Sequence, residues 1–160
     1  MTMDLAMTPA AAATEQKREF LTFRLGAETY AVDILNVQEI RDVDRVTRVP
    51  HVPRYLRGVI NLRGAIVPVV DLGLMLGFPE ALPLAGASAI VLNAGGRLTG
   101  LAVTSVSDVM AFADEEIRPA PDLGERHGTA AISAIAVRDA ITLLILDVDR
   151  LLTRIREERS

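Results

Sequence analysis

Short runs of alternating apolar and polar residues dominate the chain, and they predict strands. FLTFRL (20 to 25) and TYAVDI (29 to 34) read as a hairpin turning at Gly26. Leu21, Phe23 and Leu25 share one face, and Tyr30, Val32 and Ile34 share a face of the partner. Then the period changes. Asp33 is a good N-cap, and Ile34, Val37 and Ile40 fall at i, i+3 and i+6, which predicts a short helix over ILNVQEIR. DRVTRV (44 to 49) predicts a short strand, broken by Pro50 and Pro53.

Residues 58 to 76, GVINLRGAIVPVVDLGLML, carry the densest set of signals. Two strands flank a tight turn at Arg63-Gly64, which holds Arg63 at the tip. Ile60 and Leu62 share one face; Val59, Asn61 and Arg63 share the other. Pro68 cannot donate a ladder hydrogen bond, so its strand is expected at an edge or a bulge. Asp71 caps a following helix, and Gly77 with Pro79 stops it.

After a Gly- and Pro-containing connector, ASAIVLNA (87 to 94) and RLTGLAV (97 to 103) form a second strand pair around Gly95-Gly96. Residues 115 to 129 are polar and read as a long loop. AISAIAV (131 to 137) and AITLLIL (140 to 146) pair around Arg138-Asp139. A last helix starts near Asp147, with Val148, Leu151, Leu152 and Ile155 as its apolar stripe.

The two halves repeat this order. At an offset of 92 − 23 = 69, Val37 meets Val106, Glu39 meets Asp108 and Ile40 meets Val109. Arg63 meets Arg138 at 138 − 63 = 75, and Asp71 meets Asp147 at 147 − 71 = 76, so one residue is expected to be inserted between. The fold class is therefore all-β, two small barrels packed side by side with short helices at the ends of each half. Closure into barrels removes unpaired strand edges.

Composition narrows the function. The 160 residues contain no Cys, so there is no disulfide framework, thiolate nucleophile or thiolate metal site. The net charge of −4 argues against a nucleic-acid binder. The N-terminus lacks a basic and apolar leader pattern, and residues 1 to 17 read as a disordered tail. The apolar run 140 to 146 is far short of the roughly 20 residues of a membrane span, so a soluble cytoplasmic protein with no direct membrane insertion is expected.

Catalytic equipment is missing from the pattern. His51 and His127 lie in predicted loops without metal-ligand spacing. Gly95-Gly96 leads into another strand, so it is a turn and not a phosphate cradle. The acids at 114 to 116 read as a solvated turn. No constellation fits an enzyme, and neither a cofactor nor a metal is expected. Between residues 41 and 63, six Arg face Asp42 and Asp44, a local balance of 6 − 2 = +4. A solvated face or complementarity to an acidic partner would each account for it.

FRLGAETYAVDILNVQEIR, then VTRVP, RGVINLRGAIVPVVDL, AIVLN, VSDV and EEIRPAP, resembles the bacterial chemotaxis coupling protein family, CheW. The resemblance runs from about Phe20 to Leu152. It implies two SH3-like five-stranded barrels in a single domain over 18 to 155, with subdomains of about 18 to 79 and 80 to 155 and a C-terminal tail at 156 to 160. It implies a non-catalytic adaptor between the cytoplasmic tip of a methyl-accepting chemoreceptor and the regulatory domain of the CheA histidine kinase. Such a protein is recruited to membrane-associated receptor arrays and is a monomer in isolation. Carried over by position, the docking residues are Val37, Glu39, Ile40, Arg63, Ile66, Val106 and Val109. Val37, Ile40, Val106 and Val109 suit a core as well as a groove, and Glu39 suits an internal partner for Arg63. A small-ligand module using the cleft between barrels, or an adaptor of a non-swimming chemosensory pathway, are the alternative readings.

Overall fold

The computed structural model describes residues 17–43, 45–120 and 131–159. The first half runs β1 (Lys17–Leu25), β2 (Glu28–Asp33), a 3-10 turn (Ile34–Asn36), β3 (Val37–Asp42), β4 (Leu56–Leu62), β5 (Ala65–Asp71) and α1 (Leu72–Met75). The second half runs β6 (Ser88–Ala94), β7 (Arg97–Val103), β8 (Ser105–Ala113), a 3-10 turn (Asp114–Glu116), β9 (Ile117–Pro119), β10 (Ile132–Arg138), β11 (Ile141–Leu146) and α2 (Val148–Arg159). Of the tail expected over 1 to 17, residues 1–16 lie outside the described residues, and Lys17 already belongs to β1. The tail expected at 156 to 160 is helical backbone as far as Arg159.

The strands form two mixed sheets, ordered β8-β1-β2-β11-β10-β9 and β3-β6-β7-β5-β4. Each sheet takes strands from both halves. The first two strands of each half pair with later strands of the other, β1 and β2 with β8 and β11, and β6 and β7 with β3 and β5, so a boundary near residue 80 does not separate two barrels. The copies meet twice inside each sheet, through the antiparallel pairs β1 with β8 and β3 with β6 and through the parallel pairs β2 with β11 and β5 with β7. One sheet has six strands where five were expected, because β9 adds to β10. At the equivalent edge, the strand expected over 44 to 49 shrinks to a bridge between Thr47 and Val59.

The repeat is visible in the register. Leu21 pairs with Val109 and Phe23 with Val106, while Ile90 pairs with Ile40 and Leu92 with Val37, with a bulge at the same place in both ladders. The offset of 69 therefore holds. In the later hairpins, Leu62 pairs with Ala65 and Arg138 with Ile141, an offset of 138 − 62 = 76. No residue is inserted, and Asp139 (φ 53°), not Arg138, takes the turn position of Arg63 (φ 52°).

Two expected elements change identity. VQEIR is a strand, not a helix, since β3 gains a full ladder with β6 and Asp33 caps only one 3-10 turn. The loop expected from 115 begins with a 3-10 turn and β9 before leaving the described residues. Pro68 sits within a central strand, yet β5 pairs with β7 only from Val69 onward, so the missing donor falls where no ladder needs it.

Three apolar clusters hold the fold. Phe20, Phe112, Ala136 and Leu143 fill the six-stranded sheet, and Leu62, Val67 and Val91 fill the five-stranded one. The largest, including Phe23, Leu72, Ile90, Leu101 and Leu151, joins the two sheets and both helices.

Candidate functional site

The β4–β5 turn is built by its own residues. Arg63 and Gly64 both take positive φ (52° and 90°), and Asn61 Oδ1 accepts from the Gly64 N–H at 2.8 Å. Asn93 does the same for Gly96 at 3.1 Å in the β6–β7 turn. A non-glycine residue in this region costs about 1–2 kcal/mol, which glycine would avoid. What Arg63 supplies is its side chain.

Arg63 Nη2 donates to Glu39 Oε2, and Arg41 Nη1 lies 3.7 Å from Glu39 Oε1. Glu39 is on β3 and Arg63 on the β4–β5 turn, at opposite ends of the strand order, so the ion pair spans the curled sheet. The Arg63 hydrogen bond, with the charges of Arg63 and Arg41, holds the Glu39 carboxyl below its usual range. Glu39 is thus the internal partner that keeps the exposed guanidinium in one pose.

The other expected residues are distributed around this pair. Ile40, beside Glu39, and Ile66, just after the turn, are exposed at 46% and 63%. Ile66 also faces a groove of about 620 Å³ together with Val59, Leu98 and Leu152 of α2. Val37 and Val106 are half-buried and pack on the shared core. Val109 is exposed, but on β8 at the edge of the other sheet. Ile40 and Val109 are therefore repeat equivalents on two different sheets.

Leu35, 88% exposed in the 3-10 turn before β3, was not singled out from the sequence. It had one signal: it is off the Ile34, Val37, Ile40 stripe. Arg138, expected with Asp139 in the turn of the last hairpin, ends β10 instead and serves the six-stranded sheet. It donates from Nε and Nη2 to the two oxygens of Glu116, at 2.9 Å each, and to the Ala111 carbonyl. Its guanidinium lies 4.5 Å from the centroid of the Phe112 ring. Glu116 also accepts from the Ala113 N–H. The Arg138 bonds first, and the Ala113 bond next, lower its carboxyl to about 2.

Among the described residues, no group of His, Asp and Glu is placed to hold a metal ion. No described helix is long and apolar enough to cross a membrane. His51 sits exposed in the connector before β4, and His127 lies outside the described residues. The site offers hydrogen bonding, charge and apolar contact.

Comparisons agree with this architecture. The family model of the CheW-like domain matches residues 19–156. The chain is 40% identical over 136 residues to the chemotaxis protein CheW of Klebsiella aerogenes, covering 85% of this chain and 82% of that protein. It is 41% identical over 137 residues to the CheW of Rhizobium meliloti, covering 84% and 88%. The crystal structure of the scaffolding protein TtCheW from Thermoanaerobacter tengcongensis superposes with a TM-score of 0.74 at 30% identity, over 82% of this chain and 84% of that one. The chain belongs to the CheW family, the non-catalytic scaffolds of chemotaxis signalling.

Proposed function

We propose that this protein couples a chemoreceptor to the CheA histidine kinase by binding the receptor's cytoplasmic tip at the Glu39–Arg63 end and the kinase regulatory domain elsewhere. One observation carries the receptor assignment. Arg63 occupies a costly turn position and is clamped by Glu39, and each member of the pair has an exposed Ile near it along the chain, Ile40 next to Glu39 and Ile66 three residues after Arg63. A fixed, exposed guanidinium beside apolar side chains suits a partner helix that offers a carboxylate or carbonyl next to its apolar face. Half-buried Val37 on β3, and Val106 and Val109 on β8 at the edge of the other sheet, complete the proposed docking residues. The protein acts in the cytoplasm, as a monomer until arrays recruit it. Two modest sites on one body suffice, since assembly raises the effective concentration of each partner for the other.

The test uses the purified full chain, a soluble chemoreceptor cytoplasmic fragment and the kinase regulatory domain. The wild type binds both. Arg63→Ala loses receptor binding and receptor-dependent kinase activation while keeping the regulatory domain. Absence of binding to either partner, or equal loss of both in a folded variant, overturns the reading.

A further inference from the structure

A second charged surface lies on the connector that leads into β4. From Arg45 to Val70 the chain carries five Arg and no Asp or Glu, although its net charge is −4. Three of those five, Arg48, Arg54 and Arg57, converge on a surface cavity of about 410 Å³ whose remaining wall is Val49, Pro50 and Leu56. Arg63 is not part of it.

The three guanidiniums are held differently. Arg57 is compensated, donating from Nη1 to buried Asp71 at 3.1 Å and to the Leu82 carbonyl at 2.8 Å. Arg54 directs both terminal nitrogens to the Pro79 carbonyl, at 3.3 Å each, which fixes the group without cancelling its charge. Among the described residues, no carboxylate pairs with Arg48 or Arg54. The backbone beneath is also pinned. Thr47 and Val59 exchange two hydrogen bonds of 2.9 Å, and the Leu56 N–H donates to the Pro53 carbonyl. Two uncompensated cations on a fixed frame need little ordering on association, which is what preorganisation supplies.

We propose that this cavity is a docking site for an acidic segment of a protein partner, one in which a Glu or Asp lies next to an apolar side chain. The carboxylate takes the fork of Arg48 and the N–H groups of Arg54 that Pro79 leaves free, and the apolar neighbour covers Val49, Pro50 and Leu56. Val49 is 38% exposed and available for that contact. A free inorganic oxyanion would use the guanidiniums and leave the apolar wall uncovered, so a peptide fits the whole lining better. The site is separate in residues from the Glu39–Arg63 end and does not depend on the receptor assignment.

The experiment titrates the isotope-labelled full chain with a synthetic peptide of alternating Glu and Leu, followed by amide shifts and by fluorescence anisotropy. Binding is expected to move amides between 48 and 57, to weaken steeply with added NaCl, and to fall at least tenfold in Arg48→Glu. Arg48 is exposed, so that variant is expected to keep its melting temperature; Arg48→Ala serves as a milder second variant. Arg63→Ala is expected to bind the peptide as the wild type does. Three results overturn the proposal. One is peptide binding unaffected by either Arg48 change. Another is shift changes confined to residues outside 48 to 57. The last is a peptide of alternating Glu and Ser, or inorganic phosphate, binding the same amides as tightly as the Glu–Leu peptide.

Discussion

Asp71 and Arg57 form an ion pair at 3.1 Å in which the carboxylate is fully buried. Asp71 Oδ2 also accepts from the Leu82 N–H at 2.8 Å, and Oδ1 accepts from the Leu74 N–H at 3.1 Å as the cap of α1. One side chain therefore ties β5, α1 and the connector after it. Its repeat equivalent, Asp147, caps α2 through the Arg150 N–H at 3.1 Å but remains partly exposed beside Arg150.

That difference predicts unequal losses. Asp71→Ala leaves Arg57 without its carboxylate and is expected to cost about 3 kcal/mol. Asp147→Ala removes a cap and is expected to cost about 1 kcal/mol. Urea unfolding of the two variants checks this; equal losses would show that burial of Asp71 adds nothing to its capping.

Among the described glycines, Gly58 has the tightest surroundings for an added methyl group. Its φ is 147°, and a Cβ there would lie 2.3 Å from the Thr47 carbonyl oxygen and 2.6 Å from Val46 Cγ1. Gly58→Ala must push the connector off β4, at about 2 kcal/mol or more. Thermal unfolding reads the loss, and an unchanged melting temperature would contradict the close approach. Gly64 has open space around it, so Gly64→Ala is limited to the strain of its positive φ.

Glu116 links stability to acid. Its carboxyl is ordinarily near 4.5 and falls to about 2 in the folded protein. Below pH 4.5 the unfolded chain takes up a proton that the folded chain refuses, so this contribution is complete above 4.5 and is lost as pH falls towards 2. Glu116→Gln should flatten the decline of the urea midpoint across that window. The same slope in wild type and variant would mean that Arg138 does not hold the carboxylate.

Arg63→Ala and Glu39→Gln should melt close to the wild type, because their ion pair is solvent-exposed on the Arg63 side. A Glu39→Arg, Arg63→Glu double exchange should restore part of the receptor-dependent kinase activation that either reversal alone removes. Failure to restore any would assign the two residues to separate contacts.

Much of this was legible in the sequence because hairpins are local. Gly26, Arg63-Gly64 and Gly95-Gly96 marked turns that depend only on their neighbours, and alternation assigned the faces of Ile60 and Leu62 correctly. The misreadings share one cause. Val37 and Ile40 fit a helical stripe, but the pairing of β3 with β6, distant in sequence, decided the matter. Arg138 was aligned with Arg63 by residue type, while the ladder places Leu62 there. No local pattern states which copy of a repeated strand another will pair with, so the exchange between halves stayed hidden. At the site, Glu39 and Arg63 could be named from the sequence, but their bond depends on the sheet curling far enough for its ends to meet.

The exchange of strands bears on how such a scaffold persists at low abundance. A chain carrying one copy of the repeat could complete neither sheet alone; it would have to lend three strands to a second molecule and borrow three back. Its integrity would then follow protein concentration and fail on dilution. Joining the copies in a single polypeptide turns that association into an intramolecular one. The body that partners meet is therefore whole at any copy number, and cleavage of the segment between β5 and β6 should leave two fragments that hold together only as a non-covalent pair.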